Sequence, residues 1–214
     1  MKKTFFSLLI ALCVLAMPVL AGADNVMPPD WAGEYGTTHL EWYTWNFGGT
    51  FFTPDVFTQN PAGPYVGMSY IAPGTWLPTP DGAFFLDPFS LLLGNFETPN
   101  PVKEIRLQIT YQSMDNMPWI LDVYGEPAVM WEPAFVDYVD HGEGWYTDVW
   151  DLSLWPNPWW EVIDVGDPYG GPLLVSQVVV DTWCVGSAVP VPAAIWLLGS
   201  GLIGLLGFRR KFKG

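Results

Sequence analysis

The chain has 214 residues, 22 acidic against 8 basic, and a formal net charge of −14. The charge is unevenly spread: between Asp24 and Asp181 lie all the acids but only two bases, Lys103 and Arg106, so this stretch carries 2 − 22 = −20. Such a field disfavours nucleic acid and anionic membrane surfaces as partners, because phosphate binding rests on Lys and Arg. One domain with its own core fits the length from Asp24 to about Ala188. Of the two cysteines, Cys13 lies in the leader, where Leu12 rules out a lipobox, and Cys184 is left alone, so no intramolecular disulfide can form in the exported part.

In chain order, Lys2 and Lys3 form a charged n-region, Phe5 to Leu15 an apolar h-region, and Ala21-Gly22-Ala23 a small-residue cleavage site. Residues 1–23 therefore read as a signal peptide, cut after Ala23, with Ala21 as the alternative. From Asp24 onward, proline and glycine punctuate the chain at short intervals, from Pro28-Pro29 to Gly170-Gly171-Pro172, and no stretch between them keeps a helical period. Runs rich in aromatic and β-branched residues predict strands at Leu40 to Phe47, Tyr65 to Ile71, Phe89 to Leu93, Ile105 to Tyr111, Trp119 to Tyr124, Trp145 to Trp150, Trp159 to Val165 and Leu173 to Val185. In the fourth, Ile105, Leu107, Ile109 and Tyr111 share a core-facing side, with Lys103, Arg106, Gln108 and Thr110 assigned off it. Val178 to Val185 reads as a central strand with Asp181 as its odd member, and Cys184 as a buried small hydrophobe. Many short strands without helices predict an all-β fold, a β-sandwich of jelly-roll type spanning 24–188.

The chain ends in Val189-Pro190-Val191-Pro192-Ala193-Ala194, an uncharged run to Phe208, and Arg209-Arg210-Lys211-Phe212-Lys213. Counted from Val189, the uncharged stretch reaches the roughly 20 residues a helix needs to cross a bilayer. The basic cluster after it places this end in the cytoplasm and the preceding domain outside. The Pro-x-Pro motif at Val189, Pro190, Val191, Pro192 and Ala193, the glycine-containing helix over 193–208 and the basic end resemble the PEP-CTERM sorting signal, with Val191 standing where the eponymous motif has glutamate. The resemblance implies export in an exopolysaccharide-producing bacterium, transient anchoring in the inner membrane, and processing by an exosortase that delivers the protein to the cell surface or the extracellular matrix. More loosely, Lys103 to Thr110, the Gly144-Trp145 turn, Pro156-Asn157-Pro158 with Glu161, and Gln177 to Thr182 with Cys184 resemble β-sandwich ectodomains of other such proteins.

Twelve of the thirteen tryptophans precede the tail, and Trp150, Trp155, Trp159 and Trp160 fall close together. Exposed indole faces stack on sugar rings while carboxylates bind hydroxyls. A glycan site is expected from Trp155, Trp159, Tyr169, Asp151 and Glu161, with strand alternation burying one of Trp159 and Trp160. Asp137, Asp140, Glu143 and Asp148 bring oxygens close in sequence, a calcium-loop composition without EF-hand spacing. Signatures of nucleophilic or metal catalysis are missing from the sequence, so no catalytic residue is assigned. The expected role is non-enzymatic association with exopolysaccharide. The competing readings are a carbohydrate-active enzyme with a carboxylate pair across an aromatic cleft and a structural matrix component.

Overall fold

A computed structural model describes residues 25–45, 50–60, 65–66, 69–96, 101–113 and 116–185. The expected signal peptide, residues 1–23, and the C-terminal tail, with its expected helix over 193–208, lie outside the described residues. Those described are all-β: β1 (Thr37–Trp42), β2 (Val56–Asn60), β3 (Tyr65–Val66), β4 (Tyr70–Ala72), β5 (Trp76–Thr79), β6 (Gly82–Phe85), β7 (Phe89–Phe96), β8 (Val102–Gln112), β9 (Trp119–Glu126), β10 (Met130–Gly142), β11 (Trp145–Trp155), β12 (Trp160–Gly166) and β13 (Leu173–Val185).

They form two antiparallel sheets. The larger has eight strands, ordered β10-β11-β8-β13-β1-β2, with the β5-β6 hairpin attached to β13; the smaller has five, ordered β3-β7-β12-β9, with β4 also paired to β7. Alternation along the strands explains why the sheets face each other. Ile105, Leu107 and Ile109 of β8, Leu152 and Leu154 of β11, and Val178 and Val180 of β13 are buried, and so are Leu91 and Leu93 of β7 and Ile163 and Val165 of β12 opposite them. The result is a sandwich-like pair of layers around one hydrophobic core, whose burial drives the assembly. Aromatic edges close one end, where Phe52 meets Trp45 and Trp76 in edge-on contacts at 5.3 and 4.8 Å. Residues 25–36 run over the outside of the larger sheet, with Trp31 stacked on Trp183 at 5.8 Å.

Several boundaries differ from expectation for local reasons. The first strand stops at Trp42, and Trp45 takes a left-handed φ of 52° that an extended chain does not permit. The run Tyr65 to Ile71 is two strands, β3 and β4, which pair with different parts of β7. Lys103 is a correction of parity: it lies two residues from Ile105 on the same side of β8, and it points into the core, fully buried. Strand β10 is the largest omission. It is an edge strand exposed on nearly every residue, so no periodic apolar pattern marks it, and Pro133 is tolerated because one side of the strand has no ladder partner. Its hairpin to β11 turns through Gly142, Glu143 and Gly144, all at left-handed φ between 54° and 81°, which explains two glycines around one charged residue.

Candidate functional site

The smaller sheet has an outer face that no described element covers, and three rows of side chains cross it. In β12 the inward residues are Glu161, Ile163 and Val165, so Trp160, Val162 and Asp164 face outward. Register then assigns their neighbours. Trp160 lies opposite Glu126 of β9, Val162 between Tyr124 of β9 and Leu92 of β7, and Asp164 between Asp122 of β9 and Ser90 of β7. Tyr70 of β4 continues the middle row beyond Leu92, and Phe51 stacks on Tyr70 with ring centres 4.5 Å apart. Tyr70, Leu92, Val162 and Tyr124 thus make an apolar stripe across four strands, about 14 Å long at the spacing of paired strands.

The stripe is exposed at its Tyr124 end, while Val162 in its middle is buried. Tyr124 is 45% exposed, Trp160 39%, and Trp159, on the connection entering β12, 68%. The backbone of Trp159 is held by its N–H donating to Glu126 O at 2.7 Å. Gly125 permits this closeness, because a Cβ there would stand 2.6 Å from Trp160 O and 2.9 Å from Pro158 Cβ. Beside the stripe, the Ser90 hydroxyl donates to Asp164 Oδ1 at 2.6 Å and Val123 N–H donates to Asp122 Oδ1 at 2.8 Å, which fixes two carboxylates facing solvent. Partial burial, then the charges of Asp164 and Asp122, raise the Tyr124 phenol above its ordinary range, so it stays a neutral hydroxyl at physiological pH. Flat aromatic faces flanked by hydroxyl and carboxylate groups can stack on sugar rings and bind their hydroxyls.

The residues expected at a glycan site do not stay together. Trp155, 54% exposed, and Trp159 lie at the same end of the sandwich, on either side of the β11-β12 connection. Tyr169, 95% exposed, follows β12 at its far end, roughly 20 Å along a seven-residue strand from Trp160. Asp151 is on the outer face of the larger sheet, where both its oxygens accept from Arg106, through Nε and Nη2, at 2.7 Å. Glu161 is fully buried against Lys103 and offers nothing to a surface ligand. Trp159 and Trp160 are both exposed, rather than one buried, because Trp159 precedes the strand and escapes its alternation. Tyr124, Trp160, Leu92 and Tyr70 were the missed members. Their outward parity is legible within each strand, but only the pairing of β4, β7, β12 and β9 makes them neighbours.

The four acids of calcium-loop composition are spread along the β10-β11 hairpin. The Asp137 carboxylate accepts from Tyr138 N–H and that of Asp140 from Gly142 N–H, each at 2.8 Å. Glu143 sits at the turn, and Asp148 is buried on β11. Among the described residues, no group of three His, Cys, Asp or Glu side chains is placed to hold a metal ion.

A concavity of about 440 Å³ opens on the larger sheet between β1, β2 and residues 25–33. His39 lines it with a carboxylate at each ring nitrogen, Nδ1 to Asp181 Oδ1 and Nε2 to Glu41 Oε1, both 2.7 Å. Asn25 Nδ2 donates to Asp181 Oδ2 at 3.0 Å. The hydrogen bond with Asp181 is the main cause that raises the His39 pKa, against desolvation, with Glu41 adding to it. This explains Asp181 as the polar member of an apolar strand: register places Thr58, His39, Asp181, Arg106 and Asp151 in one row across β2, β1, β13, β8 and β11.

Residues 188–211 match the family model of the PEP-CTERM protein-sorting motif. The motif implies an exported protein, sorted by an exosortase and anchored at the membrane through its C-terminus. No curated protein and no solved structure matches the chain.

Proposed function

We propose that the exported domain, a jelly-roll-like sandwich between a cleaved signal peptide and a C-terminal sorting helix, is a non-enzymatic binding protein that holds exopolysaccharide at the cell surface. The observation that carries this reading is the aromatic end of the smaller sheet's outer face, with Tyr124 exposed at the end of the apolar stripe, Trp160 exposed in the next row, Trp159 at the edge, and Asp122, Asp164 and Glu126 beside them. A flat face suits a polymer that lies across several strands. The charge of the domain narrows the partner to a neutral polysaccharide, because an anionic one meets like charge. The carboxylates Asp122 and Asp164 stand side by side on the open face rather than opposed across a cleft, which favours binding over hydrolysis.

Cosedimentation with the insoluble polysaccharide of the producing strain tests the proposal. The full chain is expected in the pellet and is displaced by soluble fragments of the same polymer. A protein that stays in the supernatant overturns the glycan assignment. The mass of the protein recovered from the cell surface tests the sorting separately, since exosortase processing removes residues 195–208 and a simple anchor keeps them.

A further inference from the structure

At one end of the sandwich, the two sheets enclose a polar nest that neither the exposed face nor the sorting tail uses. Lys103 of β8 and Cys184 of β13 lie directly opposite each other on the larger sheet. Glu161 of β12 and Asn95 of β7 enter from the smaller sheet, Glu161 paired with Leu93, two residues from Asn95. All four are nearly or wholly excluded from solvent, with Lys103 and Glu161 at 0%, Asn95 at 2% and Cys184 at 4% exposure.

Their contacts are specific. Lys103 Nζ donates to Glu161 Oε1 and, at 3.2 Å, to Gly94 O, the carbonyl bonded to the backbone nitrogen of Asn95. The Asn95 carboxamide is fixed on both sides. Its Nδ2 donates to Asn157 Oδ1 and to Pro158 O, and its Oδ1 accepts from Cys184 Sγ at 2.8 Å. Burying an ion pair costs more than packing two apolar chains of similar size, so this pair is a poor choice for stability alone. An amine, a carboxyl group and an immobilised amide enclosed together have another use.

The geometry points to an intramolecular amide bond between Lys103 Nζ and Asn95 Cγ, formed by the folded protein itself with Glu161 as the proton carrier. The ammonium of Lys103 first passes a proton to Glu161, which converts a buried ion pair into two neutral groups. The Nζ lone pair then attacks Asn95 Cγ, and the carbonyl electron pair moves onto Oδ1, where the Cys184 thiol already donates. Glu161 gives its proton to Nδ2 and takes one from the newly bonded Nζ. Collapse of the tetrahedral centre breaks the Cγ–Nδ2 bond and releases neutral ammonia. The products are the new amide, ammonia and a protonated Glu161, so atoms and charge balance without oxidant, water or cofactor.

Two further features agree. Burial pushes the Glu161 carboxyl up to about 7 even beside Lys103, which suits a group that must both hold and release a proton. Its second oxygen, Oε2, has no hydrogen-bond partner among the described residues, which leaves an acceptor inside the nest. The bond would tie β7 of one sheet to β8 of the other, a covalent link that the lone Cys184 cannot supply as a disulfide.

Digestion of the full-length protein with a glutamate-specific protease tests this, because cleavage after Glu97 separates Asn95 from Lys103. Mass spectrometry is expected to find the two peptides joined and lighter than their sum by one ammonia. Glu161→Gln should yield them separately, while Asn95→Asp should yield a joined pair lighter by one water. Wild-type protein whose peptides separate, with the Lys103 amine unmodified, overturns the proposal whatever the variants do, and a link from Lys103 to Asn157 overturns the choice of Asn95.

Discussion

His39, half-buried, and Asp148, buried, are groups whose protonation the fold favours, for different reasons. His39 binds two carboxylates, so its pKa is raised and its contribution to stability is fully present below about pH 6.5, then lost as pH climbs through the folded value. His39→Gln is expected to lower stability by about 1 kcal/mol at pH 5.5 and to equal wild type at pH 9, read from urea midpoints. An equal loss at both pH values would contradict the charged pair. Asp148 is shifted up to about 6 by burial, only partly offset by the hydrogen bond with Tyr111, and Oδ2 lacks a partner among the described residues. A carboxylate raised in the folded state costs stability once both states ionise, so Asp148→Asn should stabilise by about 1 to 2 kcal/mol at pH 7.5. Near pH 3 the gain should vanish, and calorimetry at the two pH values decides.

At the scale of elements, β9 and β12 must lie close for the exposed face to exist, and at Gly125 that closeness leaves no room for a side chain. Gly125→Ala places a methyl group against Trp160 O and Pro158, and nothing but backbone and a proline ring can give way. A loss of about 1 to 3 kcal/mol follows from such overpacking, with weaker glycan retention at temperatures where the variant remains folded. Thermal unfolding with and without polysaccharide measures both; an unchanged melting temperature would contradict close packing of Gly125 against Trp160 O and Pro158. The same scale shows what was legible in sequence. Strands with at least one buried face, such as Ile105 to Tyr111 and Leu173 to Val185, declare themselves by apolar content, and so does the all-β class. β10 does not, since neither face is buried. Lys103 and Glu161 also escape, because a charged side chain inside a sandwich makes sense only when its partner from the other sheet is known. The candidate face was half legible: exposed tryptophans near the β11-β12 connection were expected, but Asp151, Glu161 and Tyr169 were grouped with them by sequence distance, which register does not respect.

Across the whole molecule, His39, Asp148 and Glu161 all bind protons more tightly in the folded state than in the unfolded chain. Stability therefore falls as pH rises from about 4 to about 6 for Asp148, to about 7 for Glu161 and above about 6.5 for His39, and repulsion within a domain of charge −20 acts in the same direction. Exposed Asp87, whose pKa is lowered chiefly by its hydrogen bond to Thr75, titrates below this range and leaves the trend unchanged. The melting temperature should be higher at pH 5.5 than at pH 8, and the reverse order would contradict this assignment of protons. Under the proposed function, export and sorting belong to the two ends of the chain and glycan recognition to the sheet between them. Affinity electrophoresis through gels containing the producer's neutral exopolysaccharide tests that division most directly. Wild-type protein should be retarded in proportion to polymer content, and a Trp159→Ala, Trp160→Ala double variant should migrate as it does in a plain gel. Equal retardation of the two proteins, or none of either, would contradict a glycan-binding face on the smaller sheet.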